Sequence, residues 1–222
     1  MLTIGKQLTA EERLSKAVVA IMGHPRYTAL AGVLMIGEKT IHDDIPTACT
    51  NGRDVKYGRA FVDELTDAEL RGLVLHEDEG HKLYRHLTTW RWMYDIDPFL
   101  ANCACDYVIN IKIVDDNKGD GFAKLPEGGL VDERFRGMDS AQVFNILRKE
   151  QEEDDDDDGD GGDNESEGDG EQGDGSTTGS QNTAVGEGTG FDEHDWEGAQ
   201  ELSTEEQREL ARDIDEAIRQ GA

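Results

Sequence analysis

The stretch Leu65-Thr66-Asp67-Ala68-Glu69-Leu70-Arg71-Gly72-Leu73-Val74-Leu75-His76-Glu77-Asp78-Glu79-Gly80-His81 decides how this chain is read. Thr66 followed three residues later by Glu69 is a capping box, in which each side chain satisfies a backbone amide at the start of a helix. Leu70, Leu73 and Val74 recur at helical spacing and set its inward face. No glycine or proline follows Gly80 before Trp92, so the pattern predicts a helix that runs on towards Trp92. At about 100° per residue, Glu77 and His81 lie about 40° apart, on the face of Leu70, Leu73, Val74 and Tyr84. They point at the core. Burying a carboxylate and an imidazole there costs roughly several kcal/mol unless something satisfies them. A metal ion or a cationic partner would do so, and an ordinary charged pair at the core edge is the plainer alternative.

Three histidines and a cluster of acids fall between His76 and His86. Imidazole and carboxylate are the usual nitrogen and oxygen ligands of a divalent transition metal. A second element, Ala101-Asn102-Cys103-Ala104-Cys105-Asp106-Tyr107-Val108-Ile109-Asn110, places Asp106 mid-helix among apolar neighbours, where an acid needs a partner. Asn110 follows one turn later on the same side and would orient Asp106 as a third ligand. The competing reading has Asp106 accepting from backbone amides or from Arg91.

Upstream, Thr9-Ala10-Glu11-Glu12 is another capping box, and Leu14, Ala17, Val18 and Ile21 continue a helix that stops at Gly23. Ala29 to Ile36 is apolar and β-prone, Asn51-Gly52 is a turn signal and Asp54 to Tyr57 alternates, which predicts a small sheet with hairpin character. Downstream, Asp97-Pro98 opens a helix through Leu100, Tyr107 and Ile111. A loop from Gly119 to Gly129 follows, and Met138-Asp139-Ser140 caps a helix ending near Lys149. Residues 150–190 hold sixteen Asp and Glu and no Lys or Arg, with Asp154 to Asp158 in a row. They cannot bury enough apolar surface to offset ordering entropy, so this segment is expected to be disordered. Phe191-Asp192-Glu193-His194-Asp195-Trp196 comes next, and Ser203-Thr204-Glu205-Glu206 caps a last helix with Leu210, Ile214, Ala217 and Ile218 on one face. The division expected is 1–149, 150–190 and 191–222. The terminal stripe needs a surface to cover it, and a chain that stops directly after it fits a piece of something longer.

The net charge is -28 over 222 residues. Such a field repels nucleic acid and anionic membranes, so direct binding to either is not expected, and any partner should be basic or bring cations. Mimicry of nucleic acid by the aspartate run stays open. Three cysteines without Cys-x-x-Cys pairs suit a reducing compartment. The absence of a long apolar run points to a cytoplasmic chain.

From Leu14 to Leu147 the sequence resembles the family called the putative metallopeptidase domain, found beside von Willebrand A-like domains in bacteria and phages. The resemblance is carried by Ala48-Cys49-Thr50-Asn51-Gly52-Arg53, by Phe61-Val62-Asp63-Glu64-Leu65, by the histidine-rich helix, and by Ala104-Cys105-Asp106 with Asn110. Phe191 to Trp196 is similar to a motif that follows the acidic insert there. The resemblance implies an α+β, zincin-like fold, mainly helical, with a small sheet or hairpin packed on a His-Glu-x-x-His helix. It also implies two histidines and a downstream acid holding Zn²⁺, a glutamate that activates water, and a peptide or protein substrate. An ATPase or a von Willebrand A-like protein is the partner it suggests.

This sequence departs from the family pattern in one place: His76 and His81 are five residues apart, not four. A straight helix would hold them about 140° apart, unable to share an ion. A π-bulge near Gly80 would return His76 to the face of His81 and Glu77 to the general-base position. If the helix stays regular, Glu77 and His81 become the ligand pair and Asp78 the nearest base. The segment from Leu65 to Glu77 resembles the family only in the register that makes His76 the first ligand, so the resemblance favours the bulge, with His76, His81 and Asp106 as ligands and Glu77 as catalytic base. His86 matches a family position, but in a regular helix it points away from His81 as a surface or sheet-facing residue. His194 would either close over the site or belong to a docking motif. Arg53 to Gly58 is the segment expected to pair with extended substrate as an edge strand. The rival to a zinc metallopeptidase is an inactive zincin-like scaffold that acts as an interaction protein through the acidic segment and the last helix.

Overall fold

The computed structural model describes residues 8–157, 198 and 202–221. His194 and its motif, and the acidic segment from 158 to 190, lie outside the described residues.

Helix α1, Ala10–Met22, begins on the expected capping box: Thr9 Oγ1 accepts from the Glu12 amide and Glu12 returns a carboxylate oxygen to the Thr9 amide. It buries Leu14, Ala17 and Ile21. Its Arg13 donates to the carbonyls of Val62, Asp63 and Leu65, closing the end of α3, Arg59–Glu64. Between them lies one three-stranded sheet of β1, Lys39–His42, β2, Ala48–Thr50, and β3, Val55–Gly58, in the order β1-β3-β2. β2 and β3 form the hairpin that Asn51-Gly52 signals. Asn51 Oδ1 accepts from the amides of Arg53 and Asp54, and Gly52 takes φ 88, a left-handed angle open to glycine. β1 joins β3 in parallel, with Ile41 beside Tyr57.

Two expectations for this region are corrected. Ala29 to Ile36 contains no strand: Thr28–Leu30 is a 3₁₀ turn and Ala31–Leu34 is helix α2. A short apolar run has no period that separates strand from buried helix, and a tertiary contact settles it here. Gly32 packs so closely on the last helix that a Cβ would sit 3.0 Å from that of Ala217. The Arg53 to Gly58 segment expected at an edge contributes β3, Val55–Gly58, which is instead the central strand, bonded on both sides. The edges are β1 and β2.

Helix α4, Asp67–Val74, starts on the Thr66 and Glu69 capping box and buries Leu70, Leu73 and Val74. Its Gly72 lies against the backbone of a later loop, where a Cβ would come 1.8 Å from the Lys124 carbonyl oxygen. Neither partner is a flexible side chain. Gly72→Ala is therefore expected to cost about 3 kcal/mol, read as a lowered denaturant midpoint at unchanged slope.

The histidine helix does not run unbroken to Trp92. After α5, His81–Tyr84, Arg85 adopts φ 56 and ψ 40, and the chain restarts as α6, His86–Thr89, and α7, Arg91–Ile96. A left-handed arginine costs roughly 1–2 kcal/mol. Offsetting contacts surround it: the Trp90 indole donates to the Tyr84 carbonyl, Arg85 pairs with Asp215 of the last helix, and the break lets His86 and Leu87 turn inward. No glycine or proline marks such a break.

Helix α8, Pro98–Asn117, is capped by Asp97 as expected. It is buried on several faces: Ile109 and Ile113 join the core of α1, the sheet and α4, while Ala101, Cys105 and Ile111 join a second core with Leu87, Phe135 and Phe144. Helix α9, Ser140–Asp157, continues past the expected end at Lys149. Arg148–Glu152 and Lys149–Glu153 pairs at i,i+4, and Arg134 reaching Glu150, carry it into the acidic stretch. Helix α10, Thr204–Gly221, buries Leu210 and Ile214 and packs on α2. The surface its stripe requires is thus present in the same chain. Among the described residues no helix is long and apolar enough to cross a membrane. The architecture is α+β, mainly helical with a small sheet beside the histidine helix, as the sequence predicts.

Candidate metal centre

Between α4 and α5 the backbone forms a π-turn, Leu75–Gly80, in which the His81 amide donates to the carbonyl of His76, five residues back. This absorbs the extra residue. A π-turn is rare and less regular than the α-helix around it, and it recurs at functional sites. Gly80 suits the spot: a Cβ there would meet Ile109 of α8 at 2.7 Å, so its absence lets the turn approach α8 closely.

The consequence is that the two histidines share a face after all. Nε2 of His76 and Nε2 of His81 are 3.0 Å apart. Asp106 Oδ1, reaching in from α8, is 3.4 Å from His76 Nε2. One ligand atom from each of the three residues lies within 4.8 Å of the others. Both imidazoles are 0 % exposed and Asp106 is 3 % exposed, so water contributes little to their solvation.

The outer nitrogens show what the inner ones can do. His76 Nδ1 is 2.8 Å from Asn110 Oδ1, which can only accept, so a neutral His76 carries its proton on Nδ1 and presents a bare Nε2. His81 Nδ1 is 3.0 Å from His86 Nδ1, and His86 Nε2 is 2.9 Å from Ser140 Oγ. With His81 donating to His86 and His86 donating to Ser140, His81 Nε2 is bare as well. Two imidazole lone pairs facing each other repel unless a cation lies between them. A tetrahedral site with bonds of about 2.0–2.1 Å has ligand atoms about 3.3 Å apart, close to the His76–His81 and His76–Asp106 separations. The donor set, two imidazoles and one carboxylate, therefore fits a divalent transition metal.

The other candidates fall as follows. Glu77 is 0 % exposed, and its charge helps push the Tyr57 phenol well above its usual pKa, after burial and the charge and hydrogen bond of Asp78. Asp78 has turned to the sheet: Tyr57 Oη donates to Oδ2 at 2.5 Å, Lys82 Nζ to Oδ1 at 2.7 Å, and Lys39 Nζ lies 3.0 Å from Oδ1. Asn110, expected to orient Asp106, has its Oδ1 against His76 Nδ1. His86 is buried against His81, not in the surface or sheet-facing position pointing away from His81 that the sequence predicts, because the Arg85 break rotates it inward.

Sequence reasoning missed Ser140 and the Tyr57, Lys39 and Lys82 group. Ser140 served there only as a helix cap, and nothing local ties a strand tyrosine to a helix aspartate. Glu79, which lines a small cavity with Lys112 and Asp116, has its pKa raised to about 7, chiefly by burial. A cavity of about 10 Å³ touches His81 and is walled on its far side by Gln207, Leu210 and Ile214 of α10.

No curated protein and no solved structure matches this chain. A family model described as a putative metallopeptidase domain matches residues 9–222, which includes the histidine helix, α8 and the terminal helix in one unit. With nearly the whole chain covered, the protein belongs to the putative metallopeptidase domain family.

Proposed function

We propose that this chain is a zinc-dependent metallopeptidase of zincin type, held in a reducing, cytoplasmic compartment. The observation that carries the reading is the convergence of His76, His81 and Asp106 from two helices on one buried point. Zinc is favoured because two imidazole nitrogens and one carboxylate oxygen form the protein donor set of some of its catalytic sites. When bound, zinc supplies a water of lowered pKa and polarises the scissile carbonyl.

The chain's own residues do the rest. His76 and His81 are oriented by Asn110 and by His86, whose hydrogen bonds fix each ring and raise its basicity. Glu77, adjacent to His76 and buried, takes the proton of the attacking water and delivers it to the leaving amine. β2, an edge strand packed against the π-turn, replaces Val55–Gly58 as the strand on which extended substrate would pair. The ligands are enclosed, so a peptide reaches them only when a neighbouring element moves. α10, which walls the cavity beside His81, is in the right place to do so.

That enclosure also favours a second reading, in which the metal is structural and the domain is an inactive scaffold that presents its acidic segment to a basic protein or an ATPase. Incubation with an unstructured protein substrate separates the two. The enzyme reading predicts cleavage that a chelator stops and added Zn²⁺ restores. Metal-loaded protein that cleaves no member of a diverse peptide library would support the scaffold.

A further inference from the structure

The π-turn raises a question that the ligands do not answer, namely what holds six residues in a conformation that a regular helix would normally replace. The side chain in its middle is Asp78, 0 % exposed. Both of its oxygens are engaged from three directions: Tyr57 from β3, Lys39 from β1 and Lys82 from the turn that follows. Lys82 is itself 1 % exposed and donates a second bond, 2.6 Å, to the Ile36 carbonyl. Its link to Asp78 is an i,i+4 pair that spans Gly80 and His81, the end of the π-turn. One carboxylate thus joins the sheet to both sides of the bulge. His76 lies two residues before it and His81 three residues after it.

We propose that Asp78 is a positioning residue: its bonds to Tyr57, Lys39 and Lys82 hold the π-turn, and through it set the 3.0 Å separation of the His76 and His81 nitrogens. The metal half of this statement rests on the function proposed above; the backbone half does not. In some proteins a buried charge network specifies one conformation over a competing one, and the competing one here is a continuous α-helix. In that helix the ligands separate by about 140° and the site is lost.

The test compares the full-length wild type with Asp78→Asn and Tyr57→Phe, with Asp67→Asn as a control, since Asp67 is an ion-paired acid in the first turn of the same helix. Amide hydrogen exchange at His81 is measured on metal-free protein, because this amide makes the π-type bond. Asp78→Asn is expected to speed exchange at His81 at least tenfold beyond any change in the slowest-exchanging core amides, and Tyr57→Phe to do so by a smaller factor. Asp67→Asn leaves the ratio unchanged. In parallel, Co²⁺-loaded samples are compared by visible absorption, and Zn²⁺ affinity by competition with a chromophoric chelator. Asp78→Asn is expected to alter the Co²⁺ spectrum and to weaken Zn²⁺ by about 10–100-fold. His81 exchange that follows global stability alone in Asp78→Asn would overturn the proposal, whether or not metal binds. Wild-type protein that takes up no metal, with the exchange result as expected, would leave Asp78 as the anchor of the turn and remove the function proposed for the site.

Discussion

Glu77→Gln is expected to keep its metal and lose its hydrolysis, with kcat falling by about 10²–10⁴-fold. Glutamine has nearly the shape of glutamate and packs in the same buried space, so the fold and the His76, His81 and Asp106 cluster should survive. It cannot take a proton. The diagnostic pattern is therefore full metal occupancy, unchanged thermal stability and a rate near background, measured on a peptide that the wild type cleaves. A glutamine variant as active as the wild type would mean that another group accepts the proton. Asp78 is a poor substitute, since both of its oxygens are already engaged by Tyr57, Lys82 and Lys39.

The second large effect is expected at Asp106. Asp106→Asn removes the anionic member of the donor set while preserving volume, and should weaken Zn²⁺ at least about 100-fold, no less than the loss of an outer hydrogen bond to a ligand would. The comparison with Asn110→Ala makes the assignment specific. Asn110 touches the outer nitrogen of His76, so its loss should loosen that ring and weaken the metal by a smaller factor. Titration of apo protein with Zn²⁺ against a competing chelator gives both numbers. Equal affinities for Asp106→Asn and the wild type would place the third ligand elsewhere.

Much of this was legible in the sequence because local rules settle it. The capping boxes at Thr9 and Thr66, the Asp97-Pro98 start and the Asn51-Gly52 turn are short-range devices, and each appears where its residues stand. The five-residue spacing of His76 and His81 leaves both a π-bulge near Gly80 and a regular helix with Glu77 and His81 as ligands open. The family's register favours the bulge, and the structure has a π-turn at Leu75–Gly80. What the sequence hid depends on tertiary partners. The left-handed Arg85 is stabilised by Trp90 and by Asp215, 130 residues away, and without it His86 could not face His81. The helical fate of Ala29 to Ile36 depends on Gly32 meeting Ala217. The short strand Lys39–His42, in which only Thr40 and Ile41 favour extension, lies in the sheet by pairing in parallel with β3.

The terminal helix teaches the same lesson from the other end. Its apolar stripe invited an external partner, yet Leu210 and Ile214 are buried on the domain itself. An amphipathic pattern states that a surface is needed and is silent about which chain supplies it.

The central claim is that His76, His81 and Asp106 hold one divalent ion. It is tested most directly by elemental analysis of full-length protein, purified without added metal and then equilibrated with Zn²⁺, beside His81→Ala treated identically. One zinc per chain in the wild type and less than a tenth of that in the variant is the predicted result. Equal zinc in the two proteins, or none in either, would contradict it.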